Sequence, residues 1–314
     1  ARRVLRRRVH AGPCGPTTLL LLHGSGGSPP AFDRLLALEP LDPQDVPRPP
    51  FTRGGSSFED EVDRLAALVP DATDVFGYSL GGRIALGLLA RHPTRVRSLV
   101  LAGAHPGLDE AVARRERRLL DAQRAEQVAS LGVGPFFDAW DAQPLFGRRP
   151  RPDRTGLTAP GLARMFRVLG LGTMPSYWEA LSRARCALSY LVGEDDERYL
   201  DIARRVAVVC PDARILTVPA SDHDVLGCQP AFVASALAET ISARRGSMRP
   251  SAPPVSRRGA GTKRRPFSYK HLTLRTIQPV QTSAMPGTTS IKATHSHVHY
   301  TLTTTSQKSN VYIL

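Results

Sequence analysis

The sequence Gly-Tyr-Ser-Leu-Gly-Gly at residues 77–82 decides the fold. It follows a short strand-like run at residues 74–76 and opens a helix-like run at residues 83–90. Small residues two positions before and after Ser79 let the chain turn sharply from a strand into a helix. The serine hydroxyl is then held on a strained backbone above the carboxyl edge of a sheet. This nucleophile-elbow pattern predicts that Ser79 carries the reacting atom.

A glycine-rich loop upstream of the elbow provides a place for an oxyanion hole. Residues 17–22 form an apolar, strand-like run, and residues 23–28 follow as His-Gly-Ser-Gly-Gly-Ser. Backbone N–H groups of Ser25 and Leu80 would both face one developing negative oxygen. The alternative is an ordinary strand-to-helix loop, but the glycines fall where the elbow requires them.

An acidic turn follows a further strand. Residues 187–192 have the composition of a buried strand and lead into Gly-Glu-Asp-Asp-Glu at residues 193–197. One of these carboxylates is expected to orient a histidine. The spacing favours Asp196, and Asp195 is the alternative.

The histidine comes after the next strand. Residues 213–218 form that strand, and His223 lies in the loop behind it. We expect His223 to be the base, although a surface loop histidine is the alternative. The chain order Ser79, Asp196, His223 is that of α/β-hydrolases. The sequence therefore predicts an α/β-hydrolase fold with a mostly parallel sheet flanked by helices.

Composition divides the chain near residue 245. Residues 1–245 contain every Asp and Glu, whereas residues 246–314 contain none and carry four Lys and six Arg, so most of the net charge of +14 lies in that tail. The tail is rich in Ser, Thr and Pro and has no amphipathic period, so it is predicted to be disordered. Its change of composition suggests a different origin. The insertion at about 107–183 is too long for a simple crossover and predicts a helical lid.

Several function classes are not expected. No segment reaches the roughly 18 apolar residues that a membrane span needs. The basic runs of the tail have few interleaved aromatic residues, so no specific nucleic-acid site is expected. The cysteine spacing does not predict a metal site. We expect a cytoplasmic enzyme that binds neither metal nor cofactor, and the sequence leaves its oligomeric state undetermined.

Four motifs together carry a more specific resemblance. Over about residues 17–240 the chain resembles the 2-succinyl-6-hydroxy-2,4-cyclohexadiene-1-carboxylate synthases, pyruvate-eliminating lyases of menaquinone biosynthesis. The motifs are Gly-Tyr-Ser-Leu-Gly-Gly-Arg at 77–83, His-Pro-Gly-Leu at 105–108, Phe-Asp-Ala-Trp at 137–140 with Gln-Pro-Leu-Phe at 143–146, and Gly-Glu-Asp-Asp-Glu-Arg-Tyr at 193–199.

The resemblance implies a reaction. The substrate would be 2-succinyl-5-enolpyruvyl-6-hydroxy-3-cyclohexene-1-carboxylate, and the enzyme would remove a proton so that pyruvate leaves, without an acyl-enzyme. Ser79 would be the base, His223 would draw its proton, and Asp196 would hold the imidazole in the required tautomer.

The resemblance also implies a binding site for a small anionic polycarboxylate. Arginine suits this task because its guanidinium is a permanently charged, bidentate fork. The alternative for each arginine is a solvated surface cation, and for the tryptophan it is packing in the lid. The positions that match the family's pocket are Tyr78, Arg83, Arg117, Trp140, Gln143 and Arg167.

The chain departs from the family pattern at two places. Residues 39–58 are proline-rich and lack a strand ending in Pro-Gly-His-Gly, so we expect a core strand there to be shortened, irregular or lost. The histidine loop reads Ser-Asp-His-Asp at residues 221–224, where the family pattern is Ala-Gly-His. This places two further carboxylates beside the base.

Two other functions fit parts of the sequence. A serine esterase or carbon–carbon bond hydrolase would use the same triad, but an acyl chain calls for an apolar pocket and this lid is rich in arginine. A noncatalytic scaffold, used as a receptor or left by a damaged gene, would explain the irregular 39–58 segment and the tail. The intact Ser-His-Asp set favours an enzyme.

Overall fold

The computed structural model describes a defined part of the chain. The chain divides into two compact units, Ala1–Pro250 and Ser251–Leu314. The described residues are 18–38, 46–51, 54–143, 154 and 156–247, together with the backbone of three short strands between residues 284 and 304.

A five-stranded parallel sheet forms the centre of the first unit. Its strands lie in the order β1-β2-β3-β4-β5, and every neighbouring pair is parallel. Strands buried on both faces read as continuous apolar runs, as the four leucines of β1 do. The predicted mostly parallel sheet is confirmed. The strands are β1 (Leu19–Leu22), β2 (Thr73–Tyr78), β3 (Val96–Ala102), β4 (Ala187–Gly193) and β5 (Arg214–Val218).

Ten α-helices accompany these strands in the described residues, together with two short 3-10 helices, Pro29–Phe32 and Pro93–Arg95. None of them has both the length and the apolar character needed to cross a bilayer. They are α1 (Asp33–Leu36), α2 (Phe58–Ala66), α3 (Leu80–Arg91), α4 (Ala111–Leu131), α5 (Val133–Asp141), α6 (Ala159–Leu169), α7 (Trp178–Ser182), α8 (Glu197–Val209), α9 (Val225–Cys228) and α10 (Pro230–Ser247).

The helices cover both faces of the sheet. Side chains alternate between the faces of a strand, so Leu19 and Leu21 point to one side and Leu20 and Leu22 to the other. Leu19 and Leu21 belong to a core cluster that also contains residues of α1 and α10. Helix α3 packs against β1, β2 and β3 and against α2 and α7. Helix α3, which begins at the elbow, therefore forms one helical layer together with α2 and α7.

The proline-rich segment lies beside β1 without becoming a strand. Leu21 N donates to Pro47 O at 3.0 Å, and Phe51 is buried against His23, with ring centroids 4.5 Å apart. Residues 46–51 contain three prolines, which have no N–H for a strand ladder. The expectation of an irregular or lost strand is confirmed for these residues, while residues 39–45, 52 and 53 lie outside the description.

The insertion between β3 and β4 is helical. Helices α4 to α7 all fall within the segment predicted as a lid, and α4 packs against α5 and α6. An aromatic cluster of Phe136, Phe137, Trp140 and Phe166 joins α5 to α6, with ring centroids 5.3 to 5.6 Å apart. This cluster gives the lid a core of its own.

The second unit contains a small antiparallel sheet. Its strands are β6 (Ala284–Met285), β7 (Thr288–His295) and β8 (Val298–Thr304), in the order β6-β7-β8. The domain boundary near residue 245 and the disorder of residues 246–314 stay predictions, because most of that segment lies outside the described residues.

The elbow depends on close approach between α3 and β1. A Cβ on Gly81 would overlap the backbone oxygen of Leu22, and one on Gly77 would lie 2.6 Å from Gly81 O. Backbone atoms cannot move aside as the end of a flexible side chain can. The glycines of the motif are therefore required by packing at the strand-to-helix turn.

Two histidines follow strand ends and are held neutral. Burial lowers the pKa of His23 to about 4. Burial and the neighbouring guanidiniums, Arg198 first and then Arg83, lower the pKa of His105 to about 3. His105 Nδ1 accepts from Gly107 N at 3.0 Å, which requires that ring nitrogen to be unprotonated. Both imidazoles are therefore uncharged at neutral pH.

Gly81→Ala should destabilise the fold, and Gly134→Ala is its control. At Gly81 the added methyl meets Leu22 O, so overpacking is expected to lower the free energy of unfolding by about 1–3 kcal/mol. Gly134 lies in the first turn of α5 with nothing described within 4 Å of an added Cβ, and the following Pro135 offsets the helix preference of alanine, so the free energy of unfolding should change by less than about 0.5 kcal/mol. Urea unfolding of both variants measures this. A Gly81→Ala protein as stable as wild type would contradict the packing described.

Acid should destabilise the fold through the two neutral histidines. Below the ordinary pKa of 6.5 the unfolded chain binds protons that folded His105 excludes, so the free energy of unfolding falls as pH drops from 6.5 toward about 3. The slope for one such proton is at most about 1.4 kcal/mol per pH unit. His105→Asn, which can still accept from Gly107 N, should lose less melting temperature between about pH 8 and about pH 5 than wild type does. An equal loss in both proteins would contradict a neutral His105.

Candidate active site

Ser79 occupies a strained position where β2 ends and α3 begins. Its backbone has φ 51° and ψ −109°, a left-handed conformation that non-glycine residues rarely adopt. Such backbone strain costs about 1–3 kcal/mol and is concentrated at functional sites. Ser79 N donates to Ala102 O at 2.8 Å, which ties the turn to the end of β3. The predicted elbow is thus present in the structure.

The imidazole of His223 links Ser79 to Asp196. His223 Nε2 lies 3.1 Å from Ser79 Oγ, and Nδ1 lies 2.7 Å from Asp196 Oδ2. With its proton on Nδ1, the ring donates to the carboxylate and accepts from the serine hydroxyl. Gly103, at φ +54°, makes room, since a Cβ there would lie 2.8 Å from His223 Cε1. Three residues far apart in sequence therefore form one hydrogen-bonded chain.

Asp196 is the acid that bonds to the histidine. It is buried and caps the start of α8, where its Oδ1 accepts from Tyr199 N at 3.3 Å. The ring of Tyr199 packs against His223, with centroids 4.4 Å apart. Asp195 is exposed, and its N–H donates to Ser221 O at 2.9 Å. Of the two acids considered from sequence, the structure brings Asp196 to the imidazole.

The two extra carboxylates of the histidine loop bond within the loop. Asp222 Oδ1 accepts from Asp224 N at 2.9 Å, and Asp224 Oδ1 accepts from Gly227 N at 3.0 Å as the cap of α9. Both side chains are buried. These bonds give the departure from the family pattern a local structural role.

The two predicted oxyanion-hole residues lie next to the elbow. Leu80 is the first residue of α3, where a backbone N–H has no acceptor within the helix. Ser25 lies in the turn closed by Gly27 N donating to Gly24 O at 3.0 Å. A Cβ on Gly24 would be 3.5 Å from Ser79 Cβ, so this loop passes directly beside the serine. Their joint action on one oxygen stays a prediction.

Arg83 and Arg117 are buried beside this site. Each side chain is 8 % exposed. Arg83 lies one turn after Ser79 on α3, and its Nη1 donates to Leu169 O at 2.8 Å. Burial, followed by the positive charge of Arg117, lowers the pKa of Arg83 to about 10. The two guanidiniums are therefore close enough to repel each other, as a shared anion site requires.

Arg167 is not buried with them, and its place in the pocket stays a prediction. Its side chain is exposed on α6, whereas Leu162, Phe166 and Leu169 form the buried stripe of that helix. Arg167 falls off the stripe, since each residue turns an α-helix by about 100°. The matching sequence position did not reveal the phase of the helix.

The remaining predicted pocket residues have mixed surroundings. Tyr78 is buried, with its ring centroid 5.6 Å from that of His223. Trp140 belongs to the lid's aromatic cluster and stacks on Phe136. Gln143 is half-buried, and its Nε2 donates to Trp140 O at 3.1 Å, which closes the end of α5. Tyr78 thus touches the triad, while Trp140 and Gln143 support the lid.

Sequence reasoning missed two buried charged residues of α4. Asp121 and Arg124 lie four and seven residues after Arg117, on the same helix face. Asp121 Oδ1 accepts from Arg117 Nε at 2.9 Å and from Arg124 Nη1 at 3.4 Å. The guanidinium of Arg124 lies 5.2 Å from the centroid of the Trp140 ring. The i, i+4, i+7 spacing of charges was the available signal.

A cavity among the described residues lies away from the triad. It measures about 840 Å³ and is lined by residues near the amino ends of the strands, including Ala72, Val96, Arg97 and Cys186. Catalytic groups in parallel α/β sheets collect at the opposite, carboxyl edge. Among the described residues, no group of three His, Cys, Asp or Glu side chains is arranged to hold a metal ion.

The arrangement suits proton transfer on an anionic substrate. A serine with an imidazole behind it can take a proton or attack a carbonyl. The buried guanidiniums would hold negative groups in a setting of low dielectric, where charge interactions are strong.

Known proteins place these features in a family. Residues 19–236 match the model of the alpha/beta hydrolase family. A protein of Enterobacter sp. (strain 638), named 2-succinyl-6-hydroxy-2,4-cyclohexadiene-1-carboxylate synthase, is 30% identical over 261 residues, which cover 77% of this chain and 98% of the relative.

Solved structures share the fold. MenH from S. aureus aligns with a TM-score of 0.68 at 23% identity, covering 75% of this chain and 97% of that one. A carboxylesterase from the thaumarchaeon Nitrososphaera gargenis aligns with a TM-score of 0.60 at 17% identity, covering 76% and 94% of the two chains. The chain is an enzyme with the α/β-hydrolase fold and belongs to the 2-succinyl-6-hydroxy-2,4-cyclohexadiene-1-carboxylate synthase family of lyases.

Proposed function

We propose that this enzyme eliminates pyruvate from 2-succinyl-5-enolpyruvyl-6-hydroxy-3-cyclohexene-1-carboxylate. The observation that carries the proposal is the pair of buried guanidiniums, Arg83 and Arg117, beside the Ser79 and His223 contact. Arg117 Nη1 is buried and has no hydrogen-bond partner in the described structure. A buried charge with an unused donor is costly unless an anion completes the site. The name of the Enterobacter relative agrees with this substrate class.

The bonds of substrate and product define the step. The substrate has a ring double bond at C3 and the product has double bonds at C2 and C4, so the proton must leave C2, next to the succinyl ketone. Its electron pair forms the C2–C3 double bond, the C3–C4 pair moves to C4–C5, and the C5–O bond breaks. Enolpyruvate leaves with the electron pair of the C5–O bond and takes up a proton to become pyruvate. No water enters the products.

The triad supplies the base. His223 Nε2 takes the Ser79 proton as Oγ removes the proton from C2, and Asp196 stabilises the imidazolium. Negative charge then develops on the succinyl ketone oxygen. In this proposal the backbone N–H groups of Ser25 and Leu80 donate hydrogen bonds to that oxygen, and loss of one such donor typically slows a reaction by about 10²- to 10³-fold.

The arginines hold the substrate's carboxylates. Arg83 is fixed to α3 and Arg117 to the lid, so an anion between them would also draw the lid toward the elbow. A neutral ester has no negative group for these cations to bind, so the site is poorly suited to simple esters. Location in the cytoplasm and independence from cofactors stay predictions.

Ser79→Ala and Asp196→Asn should nearly abolish pyruvate release by the full-length protein. Loss of a triad member typically lowers kcat by about 10⁴-fold or more. Asp195→Asn is the matched control, since this neighbouring acid is exposed whereas Asp196 bonds to His223 Nδ1, and it should stay within about threefold of wild type. Coupling the reaction to lactate dehydrogenase measures pyruvate continuously.

Two outcomes would contradict the proposal. Folded wild-type protein that releases no pyruvate from this substrate would overturn the function. Loss of activity in Asp195→Asn with full activity in Asp196→Asn would overturn the assignment of the triad acid.

A further inference from the structure

A carboxylate lies in the middle of the cationic site. Asp121 is 2 % exposed and accepts from both lid arginines, Arg117 and Arg124, through the same oxygen. On charge alone it is unfavourable there, because a negative group weakens the attraction of nearby cations for an anionic substrate. Asp121 must therefore favour substrate binding in another way, by more than it weakens the attraction between the cations and the substrate.

The bond to Arg117 fixes which donors remain for a ligand. Asp121 Oδ1 takes the Nε–H of Arg117, while Nη1 stays buried without a partner in the described structure. A guanidinium bound at Nε presents its terminal nitrogens to a second carboxylate, which it can bind through two parallel hydrogen bonds. Asp121 thus leaves the terminal edge of Arg117 available.

Asp121 is itself held in place from across the lid. Gly172 N lies 3.5 Å from Asp121 Oδ2, and a Cβ on Gly170 would overlap that same oxygen. This turn directly follows α6, whose last residue, Leu169, accepts from Arg83 Nη1. The acid therefore has little freedom to rotate, and it joins the arginines of α4 to the turn that also receives Arg83.

Asp121 also counteracts repulsion among the cations. The charge of Arg117 lowers the pKa of both Arg83 and Arg124, and the charge of Asp121 acts in the opposite direction on both. The guanidinium of Arg117 is accordingly near both of the others. Without the acid, three buried like charges would separate and lose a common orientation.

We propose that Asp121 is a positioning residue that aims Arg117 at a carboxylate of the substrate. This proposal rests on the function proposed above in one respect, namely that the ligand is a polycarboxylate. Asp121 does not touch the reacting atoms, and its effect is exerted through the guanidinium of Arg117.

Asp121→Asn distinguishes a role in orienting Arg117 from an effect of charge alone, because the two change KM in opposite directions. Removing one negative charge should tighten binding of a polyanion if only charge matters. If Asp121 orients Arg117, KM should rise about tenfold or more, the loss expected for a charge-assisted hydrogen bond, while kcat changes by less than about threefold. A KM that falls or stays unchanged would overturn the proposal.

A double-mutant cycle identifies Arg117 as the residue that Asp121 acts through. Arg117→Met alone should raise KM, and adding Asp121→Asn to it should raise KM no further, because the residue to be oriented is gone. Independent effects that multiply in the double variant would contradict the proposal. If Asp121→Asn does not fold, Asp121→Ser takes its place in the same cycle.

Glu61→Gln provides the matched control for loss of a buried, arginine-paired acid. Glu61 is buried, accepts from Arg64 Nη2 at 2.5 Å and from Gly55 N at 3.1 Å, and lies on α2 outside the lid. This variant should lose melting temperature but keep the wild-type KM. A rise in KM equal to that of Asp121→Asn would mean that general destabilisation explains both.

Binding of a nonreacting dianion keeps this test separate from the proposed reaction. Isothermal titration with 4-(2-carboxyphenyl)-4-oxobutanoate should give a Kd about tenfold weaker for Asp121→Asn than for wild type. If wild type binds this probe as expected yet releases no pyruvate, the proposed reaction fails and the inference stands. Equal binding by both proteins overturns the inference whatever the reaction proves to be.

Discussion

The left-handed backbone of Ser79 is the constraint on which the site depends. At φ 51° the chain leaves β2 and enters α3 within one residue, and this turn is possible only because Gly77 and Gly81 allow α3 to lie directly against β1. The turn puts Oγ within reach of His223. It also sets the first turn of α3, which places Arg83 over the same edge of the sheet.

The second feature on which the site depends is the arrangement of its buried charged side chains. Arg83 comes from the elbow helix, whereas Arg117 and Arg124 come from the lid, and Asp121 is the negative group bonded to both lid arginines. Because these buried cations come from two elements, an anion bound between them would link the lid to the elbow helix. A multiply charged substrate would therefore contribute to assembling the site that acts on it.

The sequence was informative for the parts of the site that lie in short, contiguous motifs. The elbow, the acidic turn and the histidine loop each follow a strand, and the carboxyl ends of parallel strands meet at one edge, so Ser79, Asp196 and His223 could be brought together before the structure was known. The prolines at 47, 49 and 50 likewise predicted that residues 46–51 would not form a regular strand, because proline has no N–H to donate.

The lid was less predictable because the direction of a side chain depends on helix phase and packing. Arg167 matched by position yet lies on the exposed side of α6. Asp121 and Arg124 resembled ordinary surface charges in a helix rich in arginine, and only the packing of α4 against α6 and α5 reveals that they are buried. Tyr199, in contact with His223, could be placed only once α8 was known to begin at Glu197 with Asp196 as its cap.

The central claim is that Ser79 removes a proton and that no water takes part. Mass spectrometry of the ring product formed by the wild-type protein tests it most directly. Elimination predicts a conjugated cyclohexadiene whose mass equals that of the substrate less pyruvic acid. A ring product heavier by one water would show hydrolysis of the enol ether instead and would contradict the account.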